Sequence, residues 1–94
     1  MELEWDEVKR QGALAKRQID FADVARIDPA SIRTWVDERY AYGEQRLISY
    51  GYLDDRLCTF CWTQRGTKIR IISMRKANER ERKRYEQGQD PRHA

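Results

Sequence analysis

Residues 63–77 read TQRGTKIRIISMRKA, and this segment decides the fold. Gly66 separates two stretches rich in aliphatic, aromatic and β-branched residues, which is typical of two strands joined by a tight turn. Arginines share these strands with residues of the kind that proteins bury. A cation in a hydrophobic run costs free energy unless it has an anionic partner or reaches the surface. We therefore expect these arginines to be presented to a ligand, and phosphate is the first candidate.

Upstream of this segment the hydrophobic period is two as far back as residue 32, which predicts β-strands. The predicted strands cover residues 32–37, 45–52, 57–64 and 68–75. Their short connections predict an antiparallel meander. If Gln64 pairs with Thr67, Arg70 lies next to Cys61 on the face opposite the aromatic residues.

Helical patterns flank the predicted strands. Asp6 is a candidate N-cap for a first helix over residues 7–18, and Asp20 begins a second, shorter helix that Pro29 ends. Residues 78–87 predict a last, highly charged helix, and residues 2–5 form either an edge strand or an extended arm. The expected fold class is α+β, with two N-terminal helices, a four-stranded mainly antiparallel sheet and a C-terminal helix. Residues 1–87 would form one domain, followed by a flexible tail at residues 88–94.

Positive charge is concentrated in one part of the chain. The formal net charge of the 94 residues is +3, but residues 64–84 hold nine lysines and arginines against two acidic residues. Such a concentration is typical of proteins that bind polyanions. A basic helix that docks on an acidic protein explains the same charge, so nucleic acid and a protein partner both remain open.

Several function classes find little support. No apolar run approaches the ~20 residues that span a bilayer, and no signal peptide is evident at the N-terminus, so we expect a cytoplasmic protein without a membrane partner. Cys58 and Cys61 form an isolated CxxC, which is more typical of reduced core thiols than of a zinc site. The only histidine is His93, which argues against histidine-based nuclease mechanisms. We expect neither a metal nor another cofactor.

The remaining chemistry is cleavage of RNA by positioning and charge. Arginine donates bidentately to phosphate oxygens and stabilises the charge that develops in the transition state. The candidate catalytic residues are Glu44, Arg46, Arg70 and Arg75. Glu44, Asp37, Tyr85 or a lysine are the alternatives for the acid and the base. Further candidate RNA contacts are Lys9, Lys16, Arg17, Arg65, Lys68, Lys76 and Tyr85.

The chain also resembles a known family along most of its length. The resemblance is carried by EWDE at residues 4–7, GEQR at 43–46, TQRG at 63–66 and RIISMRKA at 70–77, in this order and spacing. These motifs are similar to those of the BrnT family of bacterial toxins.

The resemblance implies a RelE-like fold and the toxin half of a type II toxin–antitoxin pair. Such a toxin cleaves RNA, free or on the ribosome, and thereby inhibits translation. A BrnA-type antitoxin would neutralise it, commonly in a heterotetramer, and would provide the only contact with operator DNA.

The chain departs from the family pattern in three places. Ala13 stands where the family typically has Asn, Arg17-Gln18 replace His-Gly, and Met74 replaces a small residue. An alternative function is therefore a weakened toxin homologue that acts only as an antitoxin-binding partner in operon repression. A stand-alone nucleic-acid-binding domain is a third reading, and it predicts binding that depends steeply on salt.

Overall fold

The computed structural model describes residues 2–39 and 41–92. A mixed sheet of five strands has the order β1-β5-β4-β3-β2. The strands are β1 (Glu2–Trp5), β2 (Arg33–Asp37), β3 (Arg46–Leu53), β4 (Arg56–Arg65) and β5 (Lys68–Lys76). Two α-helices flank the sheet, α1 (Glu7–Arg17) and α2 (Glu79–Glu86). Neither helix is long and apolar enough to cross a membrane, and the same holds for every helix of the described residues.

The predicted four-stranded, mainly antiparallel sheet is wrong, because the sheet has five strands and is mixed. The edge strand that the sequence left open is present as β1, which pairs with β5 in parallel, Leu3 opposite Ile69 and Trp5 opposite Ile71. The other three pairings are antiparallel, as the short connections indicated. Four residues carry too little hydrophobic pattern to fix a strand, so β1 depends on the edge that β5 offers.

The second predicted N-terminal helix is also wrong. Two short 3₁₀ segments, Phe21–Arg26 and Pro29–Ser31, occupy this part of the chain. The side chains of Asp20 and Asp28 each accept a hydrogen bond from the backbone two residues later, so each starts a new turn. Two starts within nine residues, with a proline after the second, leave no room for a regular α-helix.

The sheet buries apolar residues on both faces. On one face, Ala13 of α1 and Phe21 pack with Phe60, Ile71 and Met74. On the other face, α2 contributes Tyr85, which packs with Tyr50, Leu57 and Ala77. The helix α1 therefore covers one face and α2 covers part of the opposite face.

A β-bulge interrupts the pairing of β4 and β5. Trp62 lies opposite Ile71, whereas the preceding Cys61 lies opposite Ser73, so Ile72 is an extra residue in β5. The predicted register is wrong, because Lys68 rather than Thr67 begins the pairing and Arg70 lies opposite Thr63. Beyond Ile71, β5 has no strand on its β1 side in the described residues.

The segment after α2 folds back onto the sheet. Pro91 is fully buried, and Arg92 donates to the Val36 carbonyl at 2.7 Å and lies over the Trp35 ring. His93, the histidine singled out from the sequence, lies outside the described residues.

Gly51 in β3 is required by close packing. A Cβ at this position would lie 2.6 Å from Ile27 Cγ2 and 3.1 Å from Ile32 Cγ1. We expect Gly51→Ala to lower the free energy of unfolding by about 1–3 kcal/mol, because the buried Ile27 must move. Gly12→Ala in α1 is the matched control. Its Cβ meets nothing within 4 Å, so the free energy should rise by roughly 0.5–1 kcal/mol. Urea unfolding of both variants measures these changes, and equal effects would contradict the packing argument.

Candidate functional site

The β-bulge brings the candidate arginines of β5 to one face. Arg70 lies opposite Thr63 and Arg75 lies opposite Thr59. Thr59 and Thr63 are four residues apart in β4, so both arginines share a face. We call this the arginine face. Arg46 of β3 also lies on it, because its neighbour Leu47 pairs with Trp62 on the α1 face.

A cavity of about 210 Å³ collects the central candidates. Its lining includes Lys9, Glu44, Arg46, Arg65 and Arg70, and we call it the Arg46 cavity. Arg46 donates to Glu44 at 3.2 Å, and Arg65 donates to the other oxygen of Glu44 at 3.3 Å. One carboxylate thus holds two guanidinium groups in the lining of the cavity.

Two further contacts fix the orientation of these cations. The Arg46 guanidinium lies 4.0 Å from the centroid of the Tyr42 ring, a cation–π contact. Arg70 Nη1 lies 3.6 Å from Glu4 Oε1 of the neighbouring strand β1. The hydrogen bond from Arg46, with the charges of Arg65 and Arg46, lowers the pKa of Glu44 against the opposing effect of desolvation. Glu44 is therefore an ionised carboxylate near neutral pH.

A second cavity lies along α1. It has a volume of about 480 Å³, and Lys9, Gly12, Lys16 and Arg17 line it from the helix, so we call it the Lys16 cavity. It shares Lys9 and Ile72 with the Arg46 cavity. The bulge residue Ile72 thus lies where the two cavities meet.

The third cavity contains Arg75 rather than Arg46 or Arg70. It measures about 470 Å³, and we call it the Tyr50 cavity. It shares Arg17 and Ser73 with the Lys16 cavity, so the three cavities adjoin one another in a row, and we call the row the groove. Arg17 donates to the Met74 carbonyl of β5 at 3.3 Å.

Glu81 holds Arg75 in place. Arg75 donates to both oxygens of Glu81, at 2.8 and 2.9 Å, and the Tyr50 hydroxyl donates to the same carboxylate at 2.5 Å. Glu81 also accepts from the Asn78 backbone N–H and completes a capping box at the start of α2. The carboxylate therefore links two strands to α2.

Burial and hydrogen bonding act in opposite directions on these groups. Desolvation raises the pKa of Glu81, but the hydrogen bonds from Arg75, Tyr50 and Asn78 outweigh it and bring the pKa to about 2. Desolvation, together with the hydrogen bond to Glu81, raises the pKa of Tyr50 to about 12. Near neutral pH the cluster is a neutral phenol, a carboxylate and a guanidinium.

Other candidates lie away from the groove. Lys68 lies 3.9 Å from Glu2 at the β1 edge, and Lys76 lies opposite Cys58 on the α1 face. Tyr85 is buried in the core of the arginine face, where Arg33 stacks on its ring. None of these three lines the three cavities.

Glu81 and Ser73 are two of the groove residues that were not among the sequence candidates. Glu81, the anchor of Arg75, had a local signal, because Asn78-x-x-Glu81 has the spacing of a capping box. Ser73 lines two cavities and lies within the RIISMRKA motif, but its chemistry did not single it out as a candidate. Asp37, an alternative for acid or base, has a fully buried side chain bound by Arg39 at 2.8 Å. The hydrogen bonds from Arg39, followed by that from Tyr42, lower its pKa despite desolvation.

Metal-binding geometry is not evident. Within residues 2–39 and 41–92, no group of three or more His, Cys, Asp or Glu side chains is arranged to hold a metal ion.

The fold and the groove define a small α+β domain with a mixed sheet and a cationic groove. The chain belongs to the BrnT family, because residues 5–81 match the family model described as the ribonuclease toxin, BrnT, of type II toxin–antitoxin systems. The resemblance stated from the sequence is confirmed. A comparison with curated proteins found no match.

The cluster of Glu81, Arg75 and Tyr50 should make the free energy of unfolding depend on pH in the acid range. Because the pKa of Glu81 is below its ordinary value of 4.5, its contribution is complete above that value and is lost as the pH falls towards 2. We expect Glu81→Gln to lower the free energy of unfolding by about 3 kcal/mol at pH 7, because Arg75 and Tyr50 lose their partner. Urea unfolding between pH 7 and pH 2 should show this difference shrink with falling pH.

Glu86→Gln on the same helix is the control. Its exposed ion pair with Arg82 should contribute less than about 1 kcal/mol at any pH. A difference between wild type and Glu81→Gln that stays constant down to pH 2 would contradict the assignment.

Proposed function

We propose that this chain is a metal-independent endoribonuclease that inhibits translation as the toxin of a type II pair. The observation that carries the proposal is the Arg46 cavity, where Arg46, Arg70 and the ionised Glu44 line one small space. The family assignment supports ribonuclease chemistry in general. The geometry supports the way in which this chain would perform it.

In the proposed reaction the 2′-hydroxyl of RNA attacks the adjacent phosphorus. The O2′–P bond forms and the P–O5′ bond breaks, which gives a 2′,3′-cyclic phosphate and a free 5′-hydroxyl. Arg46 and Arg70 bind the non-bridging oxygens and stabilise the charge that they gain in the transition state. Because ion pairs with Glu44 and Glu4 already orient these groups, little reorganisation is needed.

Glu44 is the proposed base that takes the proton from the 2′-hydroxyl. It accepts hydrogen bonds from two arginines and keeps 29% of its side chain exposed, so substrate can reach it. Lys9 lines the same cavity and is the proposed donor of the proton to the leaving O5′. Asp37 is less suited to this step, since its side chain is fully buried and bound by Arg39.

The RNA backbone would follow the groove from the Arg46 cavity past α1. Lys9, Lys16 and Arg17 line the Lys16 cavity, and none of them has a carboxylate partner in the described residues. Unpaired cations on a groove wall attract phosphates through long-range electrostatics. Arg65 would add a further backbone contact at the opposite end.

The proposed partner is a BrnA-type antitoxin, in a heterotetramer that contacts DNA only through the antitoxin. Both proteins would act in the cytoplasm, where the RNA substrate is present, free or on the ribosome. This part of the proposal rests on the family assignment.

Removal of one guanidinium should suppress cleavage while the fold survives. We expect Arg46→Ala and Arg70→Ala each to lower the rate of RNA cleavage by about 10²–10³, the usual loss for one transition-state donor. Arg80→Ala removes the same charge from α2, away from the three cavities, and should leave the rate unchanged. Cleavage of a fluorescent RNA, measured in EDTA with circular dichroism for folding, tests the proposal. Wild-type rates in both variants would refute it.

A second function is supported by the ion pairs themselves. Arg46, Arg70 and Arg75 each have a carboxylate partner, which leaves less charge for phosphate. A homologue that only binds its antitoxin would have no need of free guanidinium groups. Purified protein that binds the antitoxin tightly, leaves RNA intact and permits translation would favour this alternative.

RNA and antitoxin should compete for the groove. Because Lys9, Lys16 and Arg17 are exposed along it and have no carboxylate partner in the described residues, an acidic antitoxin segment is expected to cover the same surface. The apparent affinity for a non-cleavable RNA should fall in proportion to added antitoxin, as fluorescence anisotropy would measure. Simultaneous binding without loss of affinity would contradict a shared surface.

A further inference from the structure

The Tyr50 cavity lies next to the proposed reaction site but outside it. Its volume of about 470 Å³ is within the usual range for small-molecule pockets, roughly 300–1,000 Å³. Arg46 and Arg70 do not line it. It meets the rest of the groove at Arg17 and Ser73, so a chain bound in the groove passes its mouth.

The inner surface of this cavity suits a planar ring. Ile48 and Cys61, which lie opposite each other on the arginine face, line it with apolar surface beside the Tyr50 ring. The position of Tyr50 is fixed by its hydrogen bond to Glu81 and by an edge-to-face contact with Trp35, at 6.0 Å between ring centroids. Heteroaromatic bases of single-stranded RNA are bound on surfaces of this kind.

The polar groups of the cavity are mainly donors. Four guanidinium groups line it, those of Arg17, Arg39, Arg75 and Arg92. The carboxylate of Asp37 already accepts hydrogen bonds from Arg39 and Tyr42. The carboxylate of Glu81 already accepts from Arg75 and Tyr50, so both offer a ligand little acceptor capacity.

Arg17 is the donor with most capacity left. The Met74 carbonyl is its only hydrogen-bond partner in the described residues, whereas a guanidinium has five N–H donors. Of the four arginines in this cavity, it alone lacks a carboxylate partner in that part of the chain. A ligand that presents two adjacent acceptors therefore fits best.

We propose that the Tyr50 cavity is a base-binding subsite for a guanine nucleotide of the RNA, beside the linkage that is cleaved. Guanine presents O6 and N7 as neighbouring acceptors, which match the arginine fork. Adenine places an amino donor beside N7, and cytosine also presents an amino group, so both meet a surface of donors. The proposal rests on the proposed ribonuclease function only for the direction in which the RNA chain lies along the groove.

Binding of a mononucleotide tests the subsite without any cleavage. Guanosine 3′-monophosphate has no internal linkage to cut, and its titration can be followed in ¹H–¹⁵N spectra of the whole chain. We expect saturable shifts at the amides of Ser73 and Cys61, and affinity at least about fivefold higher than for the adenosine or cytidine equivalent. Equal affinity for all three nucleotides and for inorganic phosphate would identify a plain anion site and overturn the proposal, as would the absence of binding.

A variant that fills the mouth of the Tyr50 cavity tests base binding separately from RNA cleavage. Ser73 is exposed, so Ser73→Phe should fold, and its ring should abolish saturable guanosine monophosphate binding. Arg80→Ala, on α2 and outside the lining of the three cavities, is the control and should bind as wild type does. Arg17→Ala should lower the affinity about fivefold or more, and it serves if Ser73→Phe does not fold.

Cleavage patterns distinguish this proposal from the proposed function. On an RNA with many possible sites, Ser73→Phe should still cleave but should lose the preference for guanine at the neighbouring position. An unchanged preference would overturn the subsite and leave the nuclease proposal intact. Guanosine monophosphate binding by a chain that cuts no RNA would support the subsite and count against the nuclease.

Discussion

The extra residue in β5 is the constraint on which the site depends. Side chains alternate along a strand, so Arg70 and Arg75, five residues apart, would point to opposite faces of a regular β5. The bulge at Ile72 shifts the alternation, and both arginines reach the same face while Ile71 and Met74 both stay in the core. The same residue lines two of the three cavities. One irregularity therefore serves core packing, cation placement and the shape of the groove.

The cations of the groove divide into two groups with different physical roles. Arg46, Arg70 and Arg75 are held by Glu44, Glu4 and Glu81, so their orientation is set before any ligand arrives. The second group is Lys9, Lys16 and Arg17. These residues have no carboxylate partner in the described residues, so no neighbouring carboxylate offsets the electrostatic field of their positive charge. The first group is suited to holding a bound anion in a fixed orientation, and the second is suited to attracting an anion from a distance. An anionic chain would meet the exposed wall of α1 first and the oriented guanidinium groups afterwards.

The sequence predicted the regular parts of this fold and missed the parts that depend on a neighbour. The central strands follow from alternation and from Gly66, and α1 follows from the cap at Asp6, whose side chain accepts from two backbone N–H groups. No turn signal in the sequence indicates that the parallel strand β1 pairs with β5. The bulge leaves no mark either, because residues 69–74 are mostly apolar and suit either register. Arg46, Arg70 and Glu44 were chosen as candidates for their chemistry and line one cavity, but the separation of Arg75 from them depends on Glu81 and could not be read from spacing.

The end of α1 shows how the departures from the family pattern change the chemistry. Gln18 occupies the left-handed C-cap position with φ of 51°, a conformation that glycine adopts at lower cost, so the chain tolerates some strain here. Arg17 precedes it and binds the β5 edge at the Met74 carbonyl. A histidine at this position would exchange protons near neutral pH, whereas a guanidinium stays charged. In the proposed reaction, proton transfer would therefore fall to residues of the Arg46 cavity, which include Lys9 near the start of α1. Arg17, at the end of the same helix, would only bind and place the phosphate backbone.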